Sequence, residues 1–418
     1  MKLTYKIYGL GCKVNQYDAG YLAKQLELLG FLPADGPASL AIVNTCTVTQ
    51  AAIAKDFKTV EKARQENPGA KIAITGCLPV NYREQALDAG VDYVASVKES
   101  GDLVNQVAVD FGLAMPSGCG TIVTDQSGHS RYFLKVQDGC QQFCSYCIIP
   151  YNRGRLSSRP AAEVLKEVEA ATEQGFEEVV LCGIHLGLYG VDSESQAASG
   201  ARYHLVDLLK DLFKIEKLKK VRLSSIEITE VNDEMIALME SNRKFARHLH
   251  IPLQAGTDKI LKAMNRPYDL AYFNERIAKL RAAVPEVAIS TDLIVGFPGE
   301  TDEDFASTLA CVKDINFSKV HVFPFSAHEK TPAYSMPDQL DEATKKGRAA
   351  SVQKLSDALE SEYDKGFIGR EIEAVIDGRS RGGSYRAKSE YYFDVVFESE
   401  QWHRPGEVVK IKDWKLLK

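Results

Sequence analysis

The sequence predicts an α/β chain in three parts: an N-terminal parallel sheet of Rossmann or flavodoxin type, a central partial (β/α)6 barrel of TIM type, and a small C-terminal all-β barrel. Three observations predict it. Short apolar runs alternate with amphipathic helical stretches twice over, through residues 1–111 and again through 131–360, the pattern of parallel strands joined by helical crossovers. From 361 to 418 the apolar spacing changes to period two between Gly-rich turns, as in a small β barrel. Two sets of three cysteines also follow candidate strands, at the carboxyl ends where such sheets bind ligands.

The chain has 418 residues, 45% hydrophobic and 26% charged, enough for roughly two to four soluble domains. No apolar run reaches the ~18 residues of a membrane span, and Met1-Lys-Leu-Thr-Tyr-Lys opens without a signal-peptide core. A cytoplasmic protein with no membrane contact is expected. Nine scattered cysteines suit a reducing compartment in which thiolates hold metal. A net charge of −6 argues against bulk attraction to nucleic acid, so any RNA contact needs local basic patches.

In the first part, Tyr5–Tyr8, Leu40–Val43, Lys71–Ile74 and Val91–Val94 read as strands, with helices at 15–29, 50–66 and 81–88. Cys12, Cys46 and Cys77 follow the first three strands, and the shared edge of a parallel sheet can bring them to one point. Three thiolates fill three positions of an iron–sulfur cubane and leave one iron open. Gly9-Leu-Gly11 lacks the third glycine of a dinucleotide fingerprint; its glycines suit close backbone approach instead. Residues 112–130 read as a linker, and Cys119 within it as incidental.

In the second part, strands are expected at Tyr132–Val136, Glu178–Cys182, Lys220–Ser224, His248–Leu253, Ala288–Val295 and Lys319–Phe323, with helices at 161–174, 204–214, 231–240, 257–283 and 302–315. Six repeats make a barrel with a lateral opening wide enough for a macromolecule. Cys140-Gln-Gln-Phe-Cys144-Ser-Tyr-Cys147 follows the first of these strands. This Cys-x3-Cys-x2-Cys frame again leaves one iron free, and S-adenosylmethionine can chelate it through its amino and carboxylate groups. Zinc with a fourth ligand remains an alternative. Tyr146 within the frame, and Gly183, His185, Ser225, Glu227, Gln254 and Asp292 on the other loops of that edge, are candidate cofactor contacts. Gly183 would let backbone approach the methionyl amine, and Gln254 would bind the ribose. Cys182 and Cys311 read as packed thiols.

A helical stretch at 340–365 leads to strands at Glu371–Ile376, Ser389–Val396 and Glu407–Lys412. Arg379, Arg381, Arg386 and Lys388 lie among Tyr385, Tyr391 and Tyr392, a mixture that can neutralise phosphates and stack bases.

These motifs together resemble the radical S-adenosylmethionine methylthiotransferase family over essentially the whole chain. Gly11-Cys12-Lys-Val-Asn-Gln16, Gly183-Ile-His-Leu-Gly-Leu-Tyr-Gly190 and Tyr151-Asn-Arg-Gly-Arg-Leu-Ser-Ser-Arg-Pro160 resemble the branch that modifies threonylcarbamoyladenosine in tRNA. The resemblance implies a radical S-adenosylmethionine barrel, a C-terminal TRAM domain and two [4Fe-4S] clusters, one on Cys12, Cys46 and Cys77 and the other on Cys140, Cys144 and Cys147. It implies methylthiolation of carbon 2 of the adenine in the anticodon stem-loop, using two S-adenosylmethionine molecules and a 5′-deoxyadenosyl radical. Alternatives are the same chemistry on isopentenyladenosine or on a ribosomal-protein side chain, or a non-catalytic metal-stabilised RNA-binding protein. Arg153 is expected to hold cofactor carboxylate, Arg155 RNA phosphate, and Arg266 RNA or cofactor. A flavodoxin- or ferredoxin-type electron donor and a monomeric state complete the expectations.

Overall fold

The computed structural model describes residues 2–114, 129–192, 203–380 and 382–417. The expected linker lies almost wholly outside the described residues, as do Cys119 and Arg381.

Leu40–Thr45 is buried at all six positions, as a strand covered on both faces must be. It sits in a five-stranded parallel sheet in the order Leu32–Pro33, Thr4–Gly9, Leu40–Thr45, Lys71–Gly76, Tyr93–Val94. That 2-1-3-4-5 order is the flavodoxin-like one. Lys13–Leu28 covers one face with Leu22 and Leu26, beside Leu103 and Val107 of Ser100–Asp110. Gln50–Glu66 covers the other with Ile53, Val60 and Ala63. The edge strand Leu32–Pro33 and the helix Ser100–Asp110 are additions to the sequence reading.

The central strands are Tyr132–Lys135, Glu178–Cys182, Lys220–Leu223, His248–His250, Ala288–Val295 and Lys319–Pro324. They form two parallel three-stranded sheets, joined by the parallel bridges Val221↔Phe245 and Ser225↔His250. The result is the expected six-stranded partial barrel. The single helix expected over 257–283 is two, Asp258–Ala263 and Leu270–Ala283. Asn265 turns left-handed at φ 57, Pro267 removes a helix donor, and the Asp269 side chain restarts the helix by accepting from Tyr272 N.

The last part is a five-stranded antiparallel sheet in the order Val408–Ile411, Ile372–Arg379, Tyr385–Ser389, Asp394–Phe397, Trp414–Leu416. The strand expected at Ser389–Val396 is instead a turn, with Tyr392 at φ 79, between two shorter strands. This turn packs against the amino-terminal ends of the barrel strands. Arg222, fully buried, pairs with Glu178 at 2.8 Å and donates to the Glu390 and Ser389 carbonyls at 3.2 and 3.1 Å. The Tyr392 ring stacks on His248 with centroids 4.4 Å apart. Among the described residues no helix is long and apolar enough to cross a membrane.

Candidate functional site

Parallel pairing sets the first cysteine group. Thr45 and Gly76 are register partners, so Cys46 and Cys77 leave adjacent strands side by side, and Gly9 aligned with Asn44 brings the Cys12 loop to the same edge. Asn15, 1% exposed, ties the loops together: its Nδ2 donates to the Leu10 carbonyl at 3.1 Å and the Thr45 carbonyl at 2.8 Å. Gly11 adopts φ +96, and a Cβ there would lie 2.7 Å from Cys46 Cβ and 3.1 Å from its Sγ. Only glycine lets this loop approach. Burial raises the thiols of Cys46 and Cys77, the latter to about 12 despite the nearby Arg153. Such thiols ionise when a cation binds them and the proton leaves.

The second group sits on a loop held from both sides. Gln137–Asp138 pairs antiparallel with Ser157–Ser158, and Cys140 N donates to the Gly154 carbonyl at 3.0 Å. Ser145 bonds the Met264 carbonyl through its N–H at 3.0 Å and the Ala263 carbonyl through its hydroxyl at 2.8 Å. The broken helix therefore has a use: its end at Ala263 and Met264, with Asn265 Nδ2 donating to the Phe143 carbonyl at 3.0 Å, grips the cysteine loop. Two of the three sulfurs also meet side-chain donors. Arg266 Nη1 lies 3.3 Å from Cys144 Sγ, and His185 Nδ1 lies 3.6 Å from Cys140 Sγ. Burial disfavours the imidazolium, but Cys140 and Glu230, the latter at 3.1 Å, outweigh it and raise His185 to about 10. Burial pushes Cys147 up to about 12.

A cavity of about 180 Å3 joins the two halves. Cys147, Tyr146, Gln254 and Asp292 line it from the barrel, and Val48 and Thr49, which follow Cys46, line it from the first sheet. Gln254 stands at φ 68 with its N–H on the Asp292 carbonyl at 2.9 Å. Beneath Asp292 a polar column descends through the barrel. His250 Nε2 is 3.2 Å from Asp292 Oδ1, and the Ser290 hydroxyl contacts His250 Nδ1 and His248 Nε2, each at 2.9 Å.

Four expectations change. Arg266 is 8% exposed, paired with Glu227 and stacked on Tyr268; it faces the cysteine loop and not an RNA surface. Glu227 is likewise engaged by Arg266 instead of standing free for a cofactor. Arg153 has a side chain 1% exposed, ion-paired with Asp18 at 3.2 Å and Asp138 at 2.9 Å, beside Cys77 and Cys12 and not aimed at the Cys140 loop's open side. Tyr385 and Tyr391 are buried in the core of the C-terminal sheet, so their rings are closed to bases. Ser225 is exposed at the barrel edge. Gly183 is explained by packing, since a Cβ there would lie 2.9 Å from Gln137 Oε1. Arg155, Arg379 and Arg386 are exposed, while Lys388 is paired with Asp394. Sequence reasoning left Asn15, Asp18, Asp138 and Glu230 unassigned, although Asn15 stands within the quoted Gly11–Gln16 motif and Asp138 only two residues before Cys140.

Among the described residues, no group of three or more His, Cys, Asp or Glu is arranged for a single metal ion. Open cysteine triads with N–H donors beside their sulfurs suit a larger iron–sulfur body.

The Radical SAM superfamily profile matches residues 134–312, and that of Uncharacterized protein family UPF0004 matches residues 4–96. The chain is 33% identical to the threonylcarbamoyladenosine tRNA methylthiotransferase MtaB of Bacillus subtilis, over 98% of this chain and 93% of that protein. It is 36% identical to the MtaB of Thermotoga maritima, over 98% and 94%. The tRNA-2-methylthio-N(6)-dimethylallyladenosine synthase of Carboxydothermus hydrogenoformans is 32% identical, over 98% and 96%. In fold it is similar to the radical S-adenosylmethionine methyltransferase TsrM of Kitasatospora setae, with a TM-score of 0.59 and 14% identity over 80% of this chain and 77% of that one. With a flavodoxin-like sheet and a six-stranded barrel each presenting three cysteines, and relatives matched from end to end, the chain belongs to the radical S-adenosylmethionine methylthiotransferase family.

Proposed function

We propose that this protein methylthiolates carbon 2 of threonylcarbamoyladenosine beside the anticodon of tRNA. The observation that carries the reading is one cavity walled both by the Cys147 loop and by the residues following Cys46, in a chain related to MtaB enzymes throughout its length. Cys140, Cys144 and Cys147 would hold one [4Fe-4S] cluster and Cys12, Cys46 and Cys77 the other. When bound, these clusters and S-adenosylmethionine supply electron transfer, radical hydrogen abstraction and the methylthio group.

The chain's own residues position and insulate. Gln254, Asp292 and Tyr146 orient S-adenosylmethionine in the cavity, whose remaining wall includes Ile294, Phe323 and Phe325 and keeps water out. Arg266 and His185 donate toward the Cys144 and Cys140 sulfurs. An adenine enters most cheaply from a loop, where unstacking costs least. Residues 1–111 form the auxiliary unit, 131–360 the radical unit and 361–418 a TRAM-type RNA-binding unit, with Arg155, Arg379 and Arg386 on phosphates. The enzyme works as a cytoplasmic monomer with a flavodoxin- or ferredoxin-type donor.

Nucleoside mass spectrometry of tRNA from a deletion strain tests the substrate. Methylthio-threonylcarbamoyladenosine should vanish while its unmethylthiolated parent accumulates; loss of the isopentenyl product instead would transfer the assignment to that base. Anaerobic reconstitution should load about eight irons, and Cys12→Ala or Cys144→Ala should each remove about half.

A further inference from the structure

Arg153 has a place in the molecule that its sequence position conceals. It ends the short helix Ile149–Arg153, six residues after Cys147, yet it reaches across to the other half of the site. Nη2 donates to Asn15 Oδ1, the side chain that fixes the Leu10 and Thr45 carbonyls of the Cys12 and Cys46 loops. Nη1 donates to Asp138, two residues before Cys140, at 2.9 and 3.1 Å, and both Nη atoms lie 3.2 Å from Asp18 Oδ2. One guanidinium therefore spans the loops of both cysteine groups.

Its Nε is different. The side chain is 1% exposed, and Nε is buried without any hydrogen-bond partner. A buried N–H without an acceptor is destabilising, and the neighbouring groups are thiols: the guanidinium acts electrostatically on Cys12, Cys46 and Cys77 and comes within hydrogen-bonding reach of the Cys77 sulfur. A guanidinium already neutralised by two carboxylates, with one donor left over beside three thiols, is arranged for an anionic sulfur acceptor.

Resting on the two-cluster reading above, we propose that Arg153 is a positioning residue of the auxiliary site. Its free Nε–H donates to sulfur held within the Cys12, Cys46 and Cys77 group, while its Nη atoms lock that group to the Cys140 loop. The role is distinct from binding a cofactor carboxylate or an RNA phosphate, for which it has no exposed donor.

The test isolates the auxiliary cluster in the full-length chain carrying Cys140→Ala, Cys144→Ala and Cys147→Ala. Hydrogen bonds to cluster sulfurs raise reduction potential. Arg153→Lys, which keeps the charge and loses the fork, should therefore lower the midpoint potential of that cluster and alter its electron paramagnetic resonance spectrum, and Arg153→Gln should lower the potential further. Unchanged potential and spectrum in both would overturn the proposal. A second measurement needs no substitution at 153: in the same protein grown on 15Nε-arginine, the reduced cluster should show a 15N hyperfine coupling, and its absence would equally overturn it. If no auxiliary cluster assembles while Arg153 is intact, the two-cluster reading fails instead, and with it the premise. The two failures are thus told apart.

Discussion

Gly11 carries a constraint that no other side chain can satisfy. At φ +96 an alanine is strained, and its methyl group would meet Cys46 Cβ at 2.7 Å. Gly11→Ala should leave far-ultraviolet circular dichroism unchanged and abolish iron uptake at the auxiliary group, measured as loss of about half the iron. Arg266 supports the other group differently. Removing one partner of a buried pair costs about 3–5 kcal/mol when it strands a buried charge, so Glu227→Leu, which leaves the Arg266 guanidinium buried and unpaired, should lower the melting temperature sharply, and Arg266→Met should do so less because the Glu227 left behind is partly exposed. Thermal denaturation of the two variants measures the difference. At this scale the grouping of the six cysteines was legible because its information lies in spacing and strand ends. Arg153 and Arg266 were not. Their partners lie up to 138 residues away, and an arginine near a cluster loop reads equally well as a ligand contact until its neighbours are known.

Among the elements, the barrel strands were legible because buried parallel strands are continuous apolar runs. Errors collected where a local signal was overridden or overlooked. Asn265 and Pro267 already marked the interruption in 257–283, yet the apolar periodicity on either side suggested one helix. Arginines interleaved with tyrosines suggested a stacking surface, but in a strand alternate residues face inward, and Tyr385 is one of these, while Tyr391 packs into the same core from the turn that follows. The long helix Glu342–Lys365 carries a pH-sensitive group. Burial raises Asp364 from its usual range to about 7, reinforced by Glu360 and Asp394 and opposed by Lys319 and Lys388. Below the unfolded-state pKa the carboxyl is protonated in both states and imposes no penalty. As pH rises toward 7 only the unfolded chain ionises freely, so this residue's contribution to stability falls. Asp364→Asn should remove that decline, seen as a smaller loss of melting temperature between pH 4 and 7.5 than in the parent.

Across the whole molecule, the three parts interlock. His328 Nε2 reaches the Val48 carbonyl at 3.0 Å and Tyr17 reaches Glu167 at 3.1 Å, joining the first sheet to the barrel. At the opposite end, Tyr392 closes the barrel. Burial opposes its phenolate, but Lys13, Arg131, Arg222 and Lys388 outweigh this and bring it down to about 8. Tyr392→Ala should destabilise the protein by roughly 3 kcal/mol and weaken S-adenosylmethionine binding in calorimetry, while Tyr392→Phe keeps the stack and should preserve both. The polar column from His248 through Ser290 and His250 to Asp292 ends on Tyr392, which lies flat against its lowest ring. During synthesis, residues 372–416 leave the ribosome after every barrel strand. Until they arrive Arg222 and His248 face solvent through an open floor, so the seat beneath the cofactor cavity is completed by the segment translated after it. Cluster insertion into a nascent chain would therefore meet an unfinished pocket, and the order of translation itself favours loading after the chain has closed.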